Sequence, residues 1–447
     1  MPAHASQALV IIHQDSADEA NGLKIKSQFP NKIHLFNIFL ILLCIAGIYF
    51  QVYRHEFLIG WDDQWFVTNH YTEDGLTRHN LLSILKDFYY GQYAPFNQLY
   101  YTILYRFFGY RTGYFHLASV LLHLINSSLV YIMVLCFMRD FEGMTRTQNI
   151  QVACLTALLF AVHPINVEPV AWVAASKVLL YAFFYIIAVL SYRIYILRSV
   201  QSRFWLVLLF FILSFGAKEQ AVVFPLTMLL MDYLYGRGWR NRMMWLEKLP
   251  VFLISLLMGF VTMESQGADG AGNFYNVLER VPLFFYTVGE YFTKCVIPIN
   301  VSYLYPFPFE SGGEIPGWLW TSTLCIPFAL YCLKDFFRYK WVLFGITWFF
   351  IHILLVGNLI SLARFSVLAD RYAYVSSIGI FIILAGMIVS LIKQSNHKNW
   401  LYSVSILFLV CLFLYSHSYA SVWRNASTLK ERLRSTIQSR PDYISNK

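Results

Sequence analysis

Asp62 and Asp63 stand side by side in the string Gly60-Trp61-Asp62-Asp63. A carboxylate pair is a ready source of a general base, because each pKa answers to desolvation and to the neighbouring charge. Adjacent side chains do not share a face in helix or strand. One of the two is therefore expected to point into a site and the other to orient it or meet a partner. The competing reading is a pair of solvated loop charges. A second constellation is Phe160-Ala161-Val162-His163-Pro164, followed by Glu168, Trp172, Ser176 and Lys177. Pro164 is expected to end a helix and to leave His163 and Glu168 near an interface. The third is Ala217-Lys218-Glu219-Gln220, which also reads as a hairpin with snorkelling ends. The fourth is Arg364 with Ala369-Asp370-Arg371-Tyr372. Asp370 and Arg371 could pair with each other, or Arg364 and Arg371 could grip a phosphate, for which the guanidinium fork is suited.

The elements that must position these residues are membrane helices. The 447 residues are 58% hydrophobic and 13% charged, with a mean hydropathy of +0.52. Soluble domains carry about 25% charged residues, so a water-soluble globule is excluded. The chain reads as an all-α polytopic membrane protein of about eleven transmembrane helices with amphipathic helices in its external loops. Spans are expected near 34–53, 114–138, 149–163, 178–197, 203–216, 219–235, 249–265, 316–333, 341–357, 373–393 and 399–416. Several are short for a crossing. The run 282–298 carries Glu290 and Lys294 and is expected to lie outside as a surface or re-entrant helix.

Three regions follow: a cytoplasmic tail 1–33, a multi-pass domain 34–416 with external loops near 54–113 and 266–315, and an external tail 417–447. The orientation rests on basic residues such as Arg139, Arg146, Arg193, Arg198, Arg203, Arg237, Arg240 and Arg242, which fall in the segments placed inside. The first thirty residues lack the pattern of a secretory signal. The net charge of +9 comes in short patches between apolar runs, which argues for membrane orientation rather than a nucleic-acid partner. The seven cysteines show no metal-binding or disulfide spacing, and neither metal nor cofactor is expected. In the external loop, Leu81 to Tyr90 reads as an amphipathic helix lying on the membrane.

Taken in order, the strings resemble a known family. Trp61-Asp62-Asp63 with Val67-Thr68-Asn69, Phe115-His116, Leu121-Leu122-His123, Phe160 to Pro164 running into Glu168 and Ala171 to Ala174, Ala217-Lys218, Leu230 to Tyr233, Tyr305-Pro306 and Ala369-Asp370-Arg371-Tyr372 are similar to the membrane part of transmembrane and tetratricopeptide-repeat O-mannosyltransferase-like proteins. These belong to the C-type glycosyltransferase superfamily. The resemblance runs from about residue 55 to 425. It departs at Ala94, where the family has a basic residue or His before the proline, and at Glu219, where it often has Pro. Family members often continue into a tetratricopeptide array where this chain has its last residues.

The resemblance implies an inverting transfer of a sugar, mannose among the candidates, from a polyprenyl-phosphate carrier to an acceptor hydroxyl on the non-cytoplasmic face. The acceptor would be Ser or Thr of a protein, with a glycan or lipid as the alternative. Asp62 and Asp63 would be catalytic, and Arg364, Arg371, Lys177 and Lys218 would hold the donor phosphate. His163, Glu168, Glu219, Asp370 and Tyr372 would support them. The partners implied are the lipid-linked sugar, which is a substrate, the acceptor and membrane lipid. A bacterial inner membrane is favoured over an endoplasmic reticulum membrane, with the site facing periplasm or lumen. A transporter or flippase of lipid-linked sugars is the competing class. It would place charged groups and broken helices near the midplane rather than at one face.

Overall fold

The computed structural model describes residues 32–141, 143–238, 240–267, 275–359 and 366–438. Arg364, the glycine-rich 268–274 and residues 439–447 lie outside the described residues. The chain divides into two units, Met1–Leu40 and Ile41–Lys447, and the site belongs to the second. Among the described residues the chain is helical, with no strand.

The helices that matter below are, in chain order, α1 (Lys32–Tyr49), α2 (Asp63–Phe66), α3 (Arg78–Lys86), α4 (Pro95–Phe108), α5 (Thr112–Asp140), α6 (Arg146–Val162), α7 (Lys177–Arg198), α8 (Gln201–Ala217), α9 (Phe224–Leu234), α10 (Arg242–Gly267), α11 (Val277–Val296), α12 (Leu319–Cys332), α13 (Lys340–Leu354), α14 (Ala373–Gln394), α15 (Lys398–Val422) and α16 (Ala426–Gln438). Six segments are long and apolar enough to cross a bilayer: Lys32–Arg54, Thr112–Asp140, Val173–Arg198, Arg242–Ser265, Asp370–Gln394 and Lys398–Val422. A seventh arises if α6 and Pro164–Ala171, bent by 57°, form one broken span. These features are those of an integral multi-pass membrane protein.

Other expected spans are shorter than the ~20 residues a full crossing needs. The 203–216 span is α8, with 17 residues, and 316–333 is α12, with 14. The 341–357 span is α13, with 15 residues. The expected 219–235 span is a 3-10 turn, Glu219–Val223, leading into the 11-residue α9. The run 282–298 lies mostly in α11, which opens on a capping box between Asn276 and Glu279. In the loop after the first span the expected amphipathic helix starts earlier, at Arg78 rather than Leu81. The Thr77 side chain caps α3 by accepting from the Asn80 N–H, and the helix stops at Asp87, whose backbone is extended.

The bundle packs α7 along α8, α13 along α14, and α5 against α6 and α7. Glycine sets the closest approach: a Cβ on Gly379 of α14 would lie 2.2 Å from the Gly345 carbonyl oxygen of α13. Inside, His123 Nδ1 lies 2.8 Å from the Tyr374 hydroxyl, and the Asn126 carboxamide donates to Tyr374 and to the Leu179 carbonyl. His123, Asn126 and Tyr374 are thus linked to one another, as buried polar side chains favour. Charges gather at both ends of α7. At one end Arg193 grips Asp140 with both N–H arms, at 2.5 and 2.6 Å, and Tyr235 donates to the same carboxylate. Beside them Asp232 accepts from Tyr192 and pairs with Arg237 and Lys248. Lys177 begins the other end, about 24 Å away at 1.5 Å per residue.

Candidate functional site

Helix breaks and loops build the site. Before Pro164 the backbone of His163 is extended, with ψ 132°, and its Nδ1 accepts from the Ile165 N–H. The chain then makes the short turn Val167–Ala171, which carries Glu168, and a 3-10 turn Val173–Ser176 that leads into α7. Tyr101 of α4 fixes that turn by donating to the Val173 carbonyl and meeting Ser176 Oγ at 3.0 Å. Gly216, near the end of α8, lies so close to Phe96 of α4 that a Cβ there would come within 2.2 Å of the ring. Lys218 and Glu219 follow directly.

The two aspartates are not equivalent. Asp63 is fully buried. Its Oδ2 accepts the Leu58 N–H at 2.7 Å and its Oδ1 accepts the Ala174 N–H at 2.8 Å. Burial nonetheless pushes its carboxyl up to about 7, against the pull of those two donors. Asp63 therefore ties the loop after α1 to the turn before α7. Asp62 is half-buried, and its carboxylate accepts no hydrogen bond from a described residue. Its charge acts on Asp63, Tyr101, Lys177 and Tyr303.

Arg371 and Glu168 form the centre. Glu168, with no exposed surface, accepts the Arg371 backbone N–H at 2.9 Å and pairs with its guanidinium at 2.5 Å. That guanidinium lies 5.3 Å from the Trp172 ring and 5.0 Å from the Tyr372 ring. Lys218 Nζ stands over the same Tyr372 ring at 5.2 Å and 3.5 Å from Glu219. Two cations thus share one aromatic ring. Lys177 Nζ donates to Gln92 Oε1 at 2.6 Å and lies 4.8 Å from the Phe66 ring. Its charge is coupled to Lys218, Glu219, Asp62 and Arg371.

Asp370 does not pair with Arg371. It accepts from the Tyr305 hydroxyl at 2.7 Å, and the charge of Lys294 acts on it more strongly than that of Arg371. The reason lies in two loops laced together: Val367 N–H donates to the Tyr305 carbonyl, Tyr305 N–H to Ser366 Oγ, and Ala369 N–H to Tyr291 of α11. These bonds turn Asp370 toward α11 while Arg371 faces Glu168. His163 stays apart from the cations as well; its ring packs 4.9 Å from Phe381 of α14. It caps the broken helix.

The sequence reading missed Tyr303 and Gln92. The Tyr303 ring lies 4.9 Å from Trp61 and 5.4 Å from Trp172, and Trp172 stacks on Trp423 at 5.7 Å. An aromatic wall therefore runs from Trp61 beside Asp62 to Trp172 beneath Arg371. Burial holds the Tyr303 phenol above its ordinary range. The only signal in the sequence was the aromatic density of the second external region. Among the described residues no cluster of three His, Cys, Asp or Glu is placed to hold a metal ion. No protein-family model, curated protein or solved structure matches this chain.

Proposed function

We propose that this chain is a membrane glycosyltransferase of the C type, moving a sugar from a polyprenyl-phosphate carrier to an acceptor hydroxyl on the non-cytoplasmic face. The observation that carries the reading is the pair of cations, Arg371 and Lys218, on the Tyr372 ring, with Asp62 held apart from them along the aromatic wall. An anionic leaving group needs positive charge where its own charge develops. Glu168 engages one arm of the guanidinium, which leaves other N–H donors of its five for phosphate oxygens.

In the proposed step the acceptor oxygen bonds to the anomeric carbon from the side opposite the phosphate, so the configuration inverts. The carbon–oxygen bond to the phosphate breaks, and its electron pair leaves with the polyprenyl phosphate toward Arg371, Lys218 and Lys177. The hydroxyl proton goes to Asp62. Asp63 positions the loop that carries this base. The resemblance favours mannose and a Ser or Thr acceptor. Eleven crossings would use the short α8, α9, α12 and α13 as tilted or partial spans, with the amino terminus inside.

The test is transfer from a fluorescent polyprenyl-phosphate sugar by the detergent-solubilised chain. Asp62→Asn keeps shape but cannot take the proton, and is expected to slow transfer by about 10²–10⁴ with donor affinity intact. Arg371→Ala is expected to weaken donor binding roughly ten- to a hundredfold, as for a lost charge-assisted bond. An Asp62→Asn enzyme that transfers at the normal rate removes Asp62 as the base and, with it, this mechanism.

A further inference from the structure

Beside the charged cluster, the loop after α1 forms an open cleft. Phe66, Tyr71, Asp87, Tyr89, Gln92 and Asn97 line it. Its geometry is set by a tight two-residue turn. Tyr90 and Gly91 have φ of 48° and 67°, and Tyr89 and Gln92 exchange both backbone hydrogen bonds at 3.1 Å. Tyr71 donates to Asp87 at 2.8 Å and meets the Tyr89 ring edge-on at 5.2 Å. Asn97 is 4% exposed, and its Oδ1 has no hydrogen-bond partner. An unpaired buried oxygen is costly, so Asn97 keeps one acceptor unused at the wall of the cleft.

We propose that this pocket binds one sugar ring of a carbohydrate acceptor, which deepens the glycosyltransferase reading and rests on it. Aromatic rings at the wall suit the C–H faces of a pyranose. Its hydroxyls, each both donor and acceptor, suit a mixed set of carboxylate, carboxamide oxygen and carboxamide N–H. A peptide would look for free backbone N–H and C=O groups at an edge, and those of Tyr89 and Gln92 are already spent on each other. The pocket also touches the chemistry. Gln92 accepts from Lys177, whose ammonium stands over Phe66. Phe66 lies one helical turn beyond Asp62, to whose carbonyl its N–H donates at 2.9 Å.

The probes are methyl α-mannoside, methyl β-glucoside, methyl β-galactoside and a Ser/Thr-containing hexapeptide. Binding to the full chain in detergent is read by saturation-transfer NMR, which needs no turnover. At least one glycoside is expected to bind, and Tyr89→Ala and Asn97→Leu are each expected to weaken it tenfold or more. Gly259→Ala, where nothing lies within 4 Å of the new Cβ, is expected to leave glycoside binding unchanged. Melting curves of both pocket variants check that they are folded. The proposal is overturned if no glycoside binds, if both folded variants bind it like the wild type, or if the peptide is the probe that both variants lose. It is also overturned if Tyr89→Ala lowers affinity for the donor but not for the glycoside, which would give the pocket to the donor's sugar. Glycoside binding with the expected losses, in a chain that never transfers sugar, would uphold the pocket and sink the mechanism.

Discussion

The pairing of Glu168 with Arg371 invites a double-mutant cycle. Glu168 has no exposed side-chain surface and Arg371 only 18%, so water screens the pair weakly. With charge centres about 4 Å apart, an effective dielectric of 20 gives roughly 4 kcal/mol of attraction. Removing one partner of a buried pair typically costs about 3–5 kcal/mol, because the other charge is left uncompensated. Glu168→Gln keeps an oxygen for the Arg371 backbone N–H and deletes only the charge. Arg371→Met keeps an unbranched stem and deletes the guanidinium. Each variant alone is expected to lose about 3 kcal/mol of unfolding free energy. The double variant should lose far less than twice that, leaving a coupling of about 3 kcal/mol. Unfolding in detergent can be followed by the fluorescence of Trp172 and Trp423, which stack beside the pair. Losses that add to within about 0.5 kcal/mol would show that the two residues do not act as a unit, and Glu168 would no longer explain how Arg371 is aimed.

Asp63 predicts a pH dependence. Its carboxyl is raised by burial to about 7, so its contribution to stability is fully present below the unfolded pKa near 4 and is lost as pH rises through 7. Melting temperatures between pH 4 and 8 should therefore fall with pH more steeply in the wild type than in Asp63→Asn, which cannot ionise; equal slopes would refute the assignment. Gly379→Ala must push α13 from α14, since the new methyl meets the Gly345 backbone oxygen, and overpacking of this kind costs about 1–3 kcal/mol or more. Gly259→Ala, where nothing lies within 4 Å of the new Cβ, is the control, and a melting temperature equally low in both would refute the packing argument.

Much of the site was legible because its chemistry is concentrated in charged residues that an apolar chain otherwise avoids. Asp62, Lys177, Lys218 and Arg371 stand out for that reason, and their segments meet. What could not be read is how carboxylates are shared with the backbone. Nothing in the spacing tells that Asp63 takes the Ala174 N–H, 111 residues away, or that Asp370 turns to Tyr305 instead of Arg371. Tyr303 and Gln92 were hidden for a related reason: each acts through a long-range neighbour, and aromatic or amide residues in a loop have no period to betray them. The helix count suffered from a different limit. Apolar runs such as 203–216 show composition clearly, but a turn of helix more or less decides whether a segment spans.

The breaks in the helices bear on which acid would serve as the proposed base. Where a helix is interrupted at membrane depth, its freed backbone groups must find partners inside the protein. Asp63 and Glu168 do that work, each accepting a backbone N–H from a break, at Ala174 and at Arg371. Asp370 serves Tyr305 between two laced loops, and Glu219 lies against Lys218. Each of these carboxylates already holds structure in place. Asp62 has no such duty. It is half-buried, its carboxylate accepts nothing from a described residue, and it stands where its charge reaches Lys177 and Tyr303. A general base must gain and lose a proton in every cycle without loosening its own scaffold. By that criterion Asp62, held at the edge of the loop that Asp63 anchors, is the carboxylate of the cluster best placed for the role.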